Sequence, residues 1–99
     1  MDIINHVVSV VLPVFNSGQL LKTTLESVTR QSYPNLELIT IDDGSTDGSR
    51  ELLDSFARTC SIPMKTLRHS DGQRKGIAAS YRAAIQHCRG NFVAFLEHD

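Results

Sequence analysis

Tryptophan is absent from these 99 residues, aromatic side chains make up only 6%, and the chain has just three prolines and two cysteines. Cys60 and Cys88 have neither Cys-x-x-Cys spacing nor a histidine cluster beside them, which excludes a disulfide-framed miniature domain and a zinc module; they read as small buried apolar residues. Neither sign of charge dominates. Ten Lys and Arg stand against eleven Asp and Glu, for a net charge of -1, and no basic stripe is available to follow a phosphate backbone, so no nucleic-acid partner is expected. Long hydrophobic runs are missing too: none approaches the roughly 20 residues needed to cross a bilayer. The segment Met1 to His6 lacks the basic region and apolar core of a signal peptide, so the expected location is cytoplasmic, with a longer parent free to associate with a membrane.

What is present is ordinary globular usage, 40% apolar and 21% charged, enough for a single domain over residues 1–99. Val7 to Val14 is a nearly unbroken β-branched apolar run, suited to a strand covered on both faces. Asn16, Ser17 and Gly18 can cap the helix that follows, whose face is marked by Leu21, Leu25 and Val28 and which should stop near Pro34. Leu36 to Ile41 reads as a second strand running into the polar loop Asp42 to Gly48, and Leu53, Phe56, Ala57 and Cys60 keep helical spacing beyond it. Pro63 to His69 is a weaker third strand. Ile77, Tyr81, Ala84, Ile85 and Cys88 mark a third helix, and Phe92 to Leu96 a fully apolar fourth strand that delivers Glu97, His98 and Asp99 at its carboxyl end. This alternation predicts an α/β, Rossmann-like open parallel sheet in the order 3-2-1-4, flanked by helices.

Ligands of such sheets bind at the carboxyl ends of the strands. Three polar groups are expected to converge there: the loop after the first strand (Pro13, Phe15, Asn16), the acidic loop after the second (Asp42, Asp43) and the acidic tip after the fourth (Glu97, Asp99). Carboxylates two residues apart can reach one hard cation such as Mg²⁺ or Mn²⁺, which favours oxygen ligands. The combination suits a metal ion bound to a diphosphate.

Taken in order, VSVVLPVFN, LELITIDDGSTDGS, GIAASYRAAI and FVAFLEHD resemble the serial motifs of family 2 glycosyltransferases, across almost the whole chain. The resemblance implies the N-terminal half of a GT-A fold and, in a longer parent, inverting transfer of a sugar from a nucleoside diphosphate sugar, usually a UDP-sugar, to an acceptor hydroxyl on a glycan or lipid-linked glycan. It implies nucleoside contacts from Pro13, Phe15, Asn16 and Asp43. It assigns a divalent cation, Mn²⁺ or Mg²⁺, to Glu97 and Asp99, with Glu97 standing where aspartate is commoner. The catalytic base is expected beyond residue 99, so the chain alone should bind donor without turnover. Ser80-Tyr81-Arg82 departs from the usual Ala-Arg-Asn, and Arg82 reads as a solvated helical residue.

Plainer roles compete for several of these residues. Asp47 can cap the helix beginning near Ser49, Asp42 reads as structural, and Asp43 can serve a turn. The segment His69 to Lys75 is either a lip over the donor or an exposed polar loop, and the four histidines read as ordinary surface residues. A non-catalytic nucleotide-binding or interaction module is the alternative function. Phe92 to Leu96, apolar with an open edge, predicts self-association.

Overall fold

The computed structural model describes residues 6–97. Within them the chain alternates strand and helix throughout: β1 (Val8–Val14), α1 (Gln19–Thr29), β2 (Leu36–Asp42), α2 (Ser49–Thr59), β3 (Met64–Arg68), α3 (Ile77–Ile85) and β4 (Phe92–Phe95). The strands form one parallel sheet in the order β3-β2-β1-β4, as the sequence predicts. None of these helices is long and apolar enough to cross a membrane.

Side chains alternate across a strand, and the two faces of the sheet find different partners. Leu12 and Val14 of β1 pack with Leu21, Leu25 and Val28 of α1 and Leu53 of α2, while Val11, Ile39 and Ile41 pack on the other face with Ala84 of α3. The chain winds outward from β1 to β3, then returns past both strands to β4. Right-handed crossovers running in opposite directions put their helices on opposite faces, which is why α3 stands apart from α1 and α2. The connections of neighbouring β1 and β4 therefore diverge, opening a crevice at their carboxyl ends.

Every residue of β2 is buried, including Glu37 at 2% exposure. A buried carboxylate must be hydrogen-bonded to be tolerated. Ser9 Oγ donates to Glu37 Oε2 at 2.6 Å, the Arg89 backbone N–H to the same oxygen at 2.6 Å, and Arg89 Nε to Oε1 at 3.2 Å. Ser9 Oγ in turn accepts the Gly90 N–H at 2.8 Å. Burial pushes the Glu37 carboxyl up, and the hydrogen bonds from Ser9 and Arg89 together outweigh it, leaving the group below its ordinary value. Gly90 makes this approach possible, since a Cβ there would lie 2.5 Å from Ser9 Oγ and 2.7 Å from the Val7 carbonyl oxygen. The network fastens the turn before β4 to the amino ends of β1 and β2, opposite the crevice.

Three local expectations change. Helix α1 ends at Thr29, well before Pro34; Tyr33 instead turns its hydroxyl to the His6 carbonyl oxygen at 2.6 Å, tying the approach to β2 to the start of β1. Helix α3 buries Ser80 and Ala84 and leaves Ile77 and Ile85 exposed, because small residues let it lie close over the sheet. Cys88 falls beyond that helix; like Cys60 it is free and only partly buried, and burial raises its thiol, which makes it a poor nucleophile. Strand β4, expected to carry an apolar open edge, is an edge strand paired among the described residues with β1 alone, with Phe92 48% and Phe95 52% exposed.

Candidate functional site

The β1–β2 ladder continues one step past the strands, where the Asp43 N–H donates to the Val14 carbonyl oxygen at 2.7 Å. This sets Asp43 beside the loop after β1, with only 4% of its surface exposed. Its Oδ1 accepts the Lys75 N–H at 2.7 Å and its Oδ2 the Gly76 N–H at 3.1 Å. His69 Nε2 lies 3.2 Å from Oδ1, and Arg74 Nε 3.9 Å from Oδ2. One carboxylate thereby draws the whole segment from the end of β3 to the start of α3 over the crevice. Gly44 allows the approach: its φ is +84°, and a Cβ would sit 2.9 Å from the Arg74 nitrogen.

Pro13, Phe15, Asp43, Arg74, Ile77 and Glu97 line a cleft of about 250 Å³ at this end of the sheet, near the small end of the range for ligand sites. Its apolar wall carries a charge. The Arg74 guanidinium lies over the Phe15 ring at 3.9 Å from the centroid, a cation–π contact. Pro13, Phe15 and Asp43 are thus brought together, and the segment 69–76 borders the same space as a lip.

Asn16 is placed differently. With a positive φ of 46°, which asparagine tolerates, it turns its Oδ1 to the Thr46 N–H at 2.7 Å, while its own N–H donates to Ser45 Oγ at 3.0 Å. The Ser17 N–H reaches Ser49 Oγ at 3.1 Å and the Gly18 N–H reaches Asp47 Oδ2 at 3.1 Å. These four bonds sew the loop after β1 to the loop after β2. Asp47 also accepts the Ser49 hydroxyl at 2.6 Å and N–H at 3.0 Å, serving the start of α2 as expected; these contacts, the hydroxyl foremost, lower its carboxyl. Asp42 accepts the Ser45 N–H at 3.2 Å and Arg50 Nε at 3.4 Å, a structural arrangement.

Glu97 is carried to the cleft by β4. The Leu96 N–H donates to the Val11 carbonyl oxygen at 2.9 Å, and the Tyr81 hydroxyl to the Leu96 carbonyl oxygen at 3.4 Å. Tyr81 also meets Phe95 edge to face at 4.7 Å. Burial, and then the charge of Glu97, push the Tyr81 phenol up, so it stays a neutral donor. Glu97 is exposed and lines the cleft, an oxygen donor of the kind a hard cation takes. Asp99, the second expected metal ligand, lies outside the described residues, as does His98. Among the described residues no three His, Cys, Asp or Glu side chains cluster in a way that could hold a metal ion.

The sequence model of the Glycosyl transferase family 2 matches residues 9–99. The chain belongs to that family. It is 32% identical over 96 residues to glycosyltransferase GlyG of Streptococcus pneumoniae, covering 96% of this chain and 31% of that protein. It is 30% identical over 95 residues to the Escherichia coli UDP-Glc:alpha-D-GlcNAc-diphosphoundecaprenol beta-1,3-glucosyltransferase WfgD, covering 96% of this chain and 36% of that protein. In structure it superposes with TM-score 0.84 and 27% identity on the mannosyltransferase PcManGT from Pyrobaculum calidifontis, solved in complex with GDP-Man and Mn²⁺, over 91% of this chain and 26% of that one. The chain thus spans about a third of these relatives' length or less, and its sheet is that of the GT-A glycosyltransferases.

The main site feature that family 2 motifs did not disclose is His69. The sequence offers it as a surface histidine, yet its side chain is only 10% exposed and touches Asp43. Its position at the end of β3, the carboxyl edge of a parallel sheet, was the signal available.

Proposed function

We propose that this family 2 chain is the donor-binding portion of an inverting, metal-assisted glycosyltransferase, and that its cleft takes a nucleoside diphosphate sugar, most simply a UDP-sugar. The observation that carries the reading is the buried Asp43 carboxylate lining one cleft together with Phe15 and Glu97. A nucleobase needs an aromatic or apolar wall and an acceptor for its N–H groups, which Phe15, Pro13 and Asp43 supply. Relatives fit the class: WfgD is named for UDP-Glc, and PcManGT was solved with GDP-Man and Mn²⁺.

In this reading the nucleoside sits against Phe15, and the diphosphate runs toward Glu97 and Asp99. A divalent cation held there would neutralise charge growing on the departing nucleoside diphosphate. The acceptor hydroxyl, on a glycan or lipid-linked glycan, forms a bond to the anomeric carbon as the anomeric carbon–phosphate oxygen bond breaks, and a single displacement inverts that carbon. The hydroxyl proton goes to a base outside the 99 residues, so the chain binds without turnover. Calorimetric titration with UDP and GDP, with and without Mn²⁺, tests this: saturable, Mn²⁺-dependent binding is expected, and absence of heat or shift with either nucleotide contradicts it.

The open side of β4 completes the proposal. Phe92, Val93 and Phe95 are exposed there, beside an apolar groove lined by Val8, Val10, Tyr33 and Leu36. Unpaired strand edges of this kind invite pairing, and two copies can meet edge to edge about a two-fold axis. Sedimentation of the 99-residue chain should show its mass rising toward a dimer over a tenfold concentration range; a constant monomer mass contradicts this.

A further inference from the structure

His69 stands immediately after β3, and its Nε2 lies 3.2 Å from Asp43 Oδ1 and 3.1 Å from Ser80 Oγ. Ser80 is fully buried in α3, where its N–H donates to the Gly76 carbonyl oxygen at 3.1 Å. One imidazole nitrogen therefore joins the end of β3, the loop after β2 and the helix that follows the lip. Arg74, mostly exposed and 3.9 Å from Asp43 Oδ2, constrains the carboxylate less.

Each carboxylate oxygen has about two acceptor positions. The Lys75 N–H donates to Oδ1, and His69 Nε2 stands 3.2 Å from the same oxygen as a close polar contact, whereas the one close donor to Oδ2 is the Gly76 N–H. The rotation of the carboxyl group thus decides which oxygen keeps an acceptor position for a ligand. We propose that His69 is a positioning residue for the nucleotide site: anchored on Ser80, it fixes the Asp43 carboxylate so that Oδ2 stays available to an N–H donor of a nucleobase. The inference rests on the reading of Asp43 as a nucleoside contact. It assigns a role to a side chain that itself need not touch the nucleotide.

The test compares His69→Leu, which fills the space without a donor, with His69→Gln, which restores an N–H donor near the position of Nε2. UDP and GDP with Mn²⁺ are the probes. Loss of this polar contact to the carboxylate corresponds to about a tenfold weakening, expected for His69→Leu, while His69→Gln stays within about threefold of the unsubstituted chain. The amide resonances of Lys75 and Gly76, which report the carboxylate directly, should move in His69→Leu and return in His69→Gln. If His69→Leu does not fold, Ser80→Ala, which removes the anchor alone, carries the same comparison. A folded His69→Leu that binds UDP normally with unmoved Lys75 and Gly76 amides overturns the proposal, as does a folded His69→Gln as weak as His69→Leu. If the unsubstituted chain binds neither nucleotide, the donor-site reading fails by itself, and the two amide resonances still decide whether His69 sets the carboxylate.

Discussion

Asp43→Ala should abolish measurable UDP binding and loosen the lip in the same step. The carboxylate accepts the Lys75 and Gly76 N–H groups and meets His69 from within the fold. Removing it leaves two part-buried backbone donors without their acceptor, and an unsatisfied buried donor costs about 1–3 kcal/mol. Water can enter the exposed lip and recover part of that, so a stability loss of about 2 kcal/mol is expected, small enough for the chain to stay folded. Hydrogen exchange at Lys75 and Gly76 should accelerate strongly while the amides of β1 and β2 keep their protection. Asp43→Asn retains the shape and one acceptor oxygen, and should fall between. Unchanged exchange at Lys75 and Gly76 in a folded Asp43→Ala would show that the carboxylate does not hold the lip.

Glu37→Ala is expected to have the largest effect on stability. It removes the acceptor of the Ser9 hydroxyl, the Arg89 N–H and the Arg89 guanidinium, and opens space within the middle of the sheet. Breaking a buried charged pair by deleting one partner costs about 3–5 kcal/mol; with Arg89 largely exposed and able to return to water, about 3 kcal/mol is the expected loss. The same carboxylate governs acid stability. Its folded-state value lies below the ordinary 4.5, so the unfolded chain takes up the proton first as pH falls. The stability it contributes is complete above about pH 4.5 and disappears as pH drops through the folded-state value. Glu37→Gln, which carries no titrating proton, should flatten that acid limb. Thermal melts of the unsubstituted chain and both variants between about pH 3 and 7, from about one unit below to nearly three units above the ordinary carboxylate range, read both effects. An acid limb of unchanged slope in Glu37→Gln would assign it to other carboxylates.

Strand order was legible because local pattern and topology agree: VSVVLPV and LELITID are β-branched runs that the sheet covers on both faces, and the crossover rules leave few ways to wind them. The loop after β2 was legible for the same reason, since its acidic residues directly follow a strand. Residues whose roles depend on distant partners were not. Glu37 sits inside a run read only as apolar and β-branched, and its tolerance depends on Ser9 and on Arg89 far along the chain. Nothing local marks that bond network.

Helix α3 shows a second reason. Ile77 and Ile85 have the spacing of a buried face, but the close approach of Ser80 and Ala84 to the sheet turns them outward. Asn16 shows a third: a short polar side chain after a strand suits a ligand contact and a loop clasp equally, and here it bonds Thr46. Asp43 and Glu97 meet in one cleft because both stand at carboxyl ends of strands, the one place where sequence order and spatial neighbourhood coincide in this fold.

The most direct test of the central claim is amide shift mapping of the labelled chain titrated with UDP and Mn²⁺. The account predicts metal-dependent, saturable shifts at Val14 to Ser17, Asp43 to Gly44, Arg74 to Gly76 and Glu97, with the amino-end network around Glu37 and Arg89 unmoved. Shifts confined to the β4 groove, or a spectrum unchanged by UDP and by GDP, would contradict a donor site in this cleft.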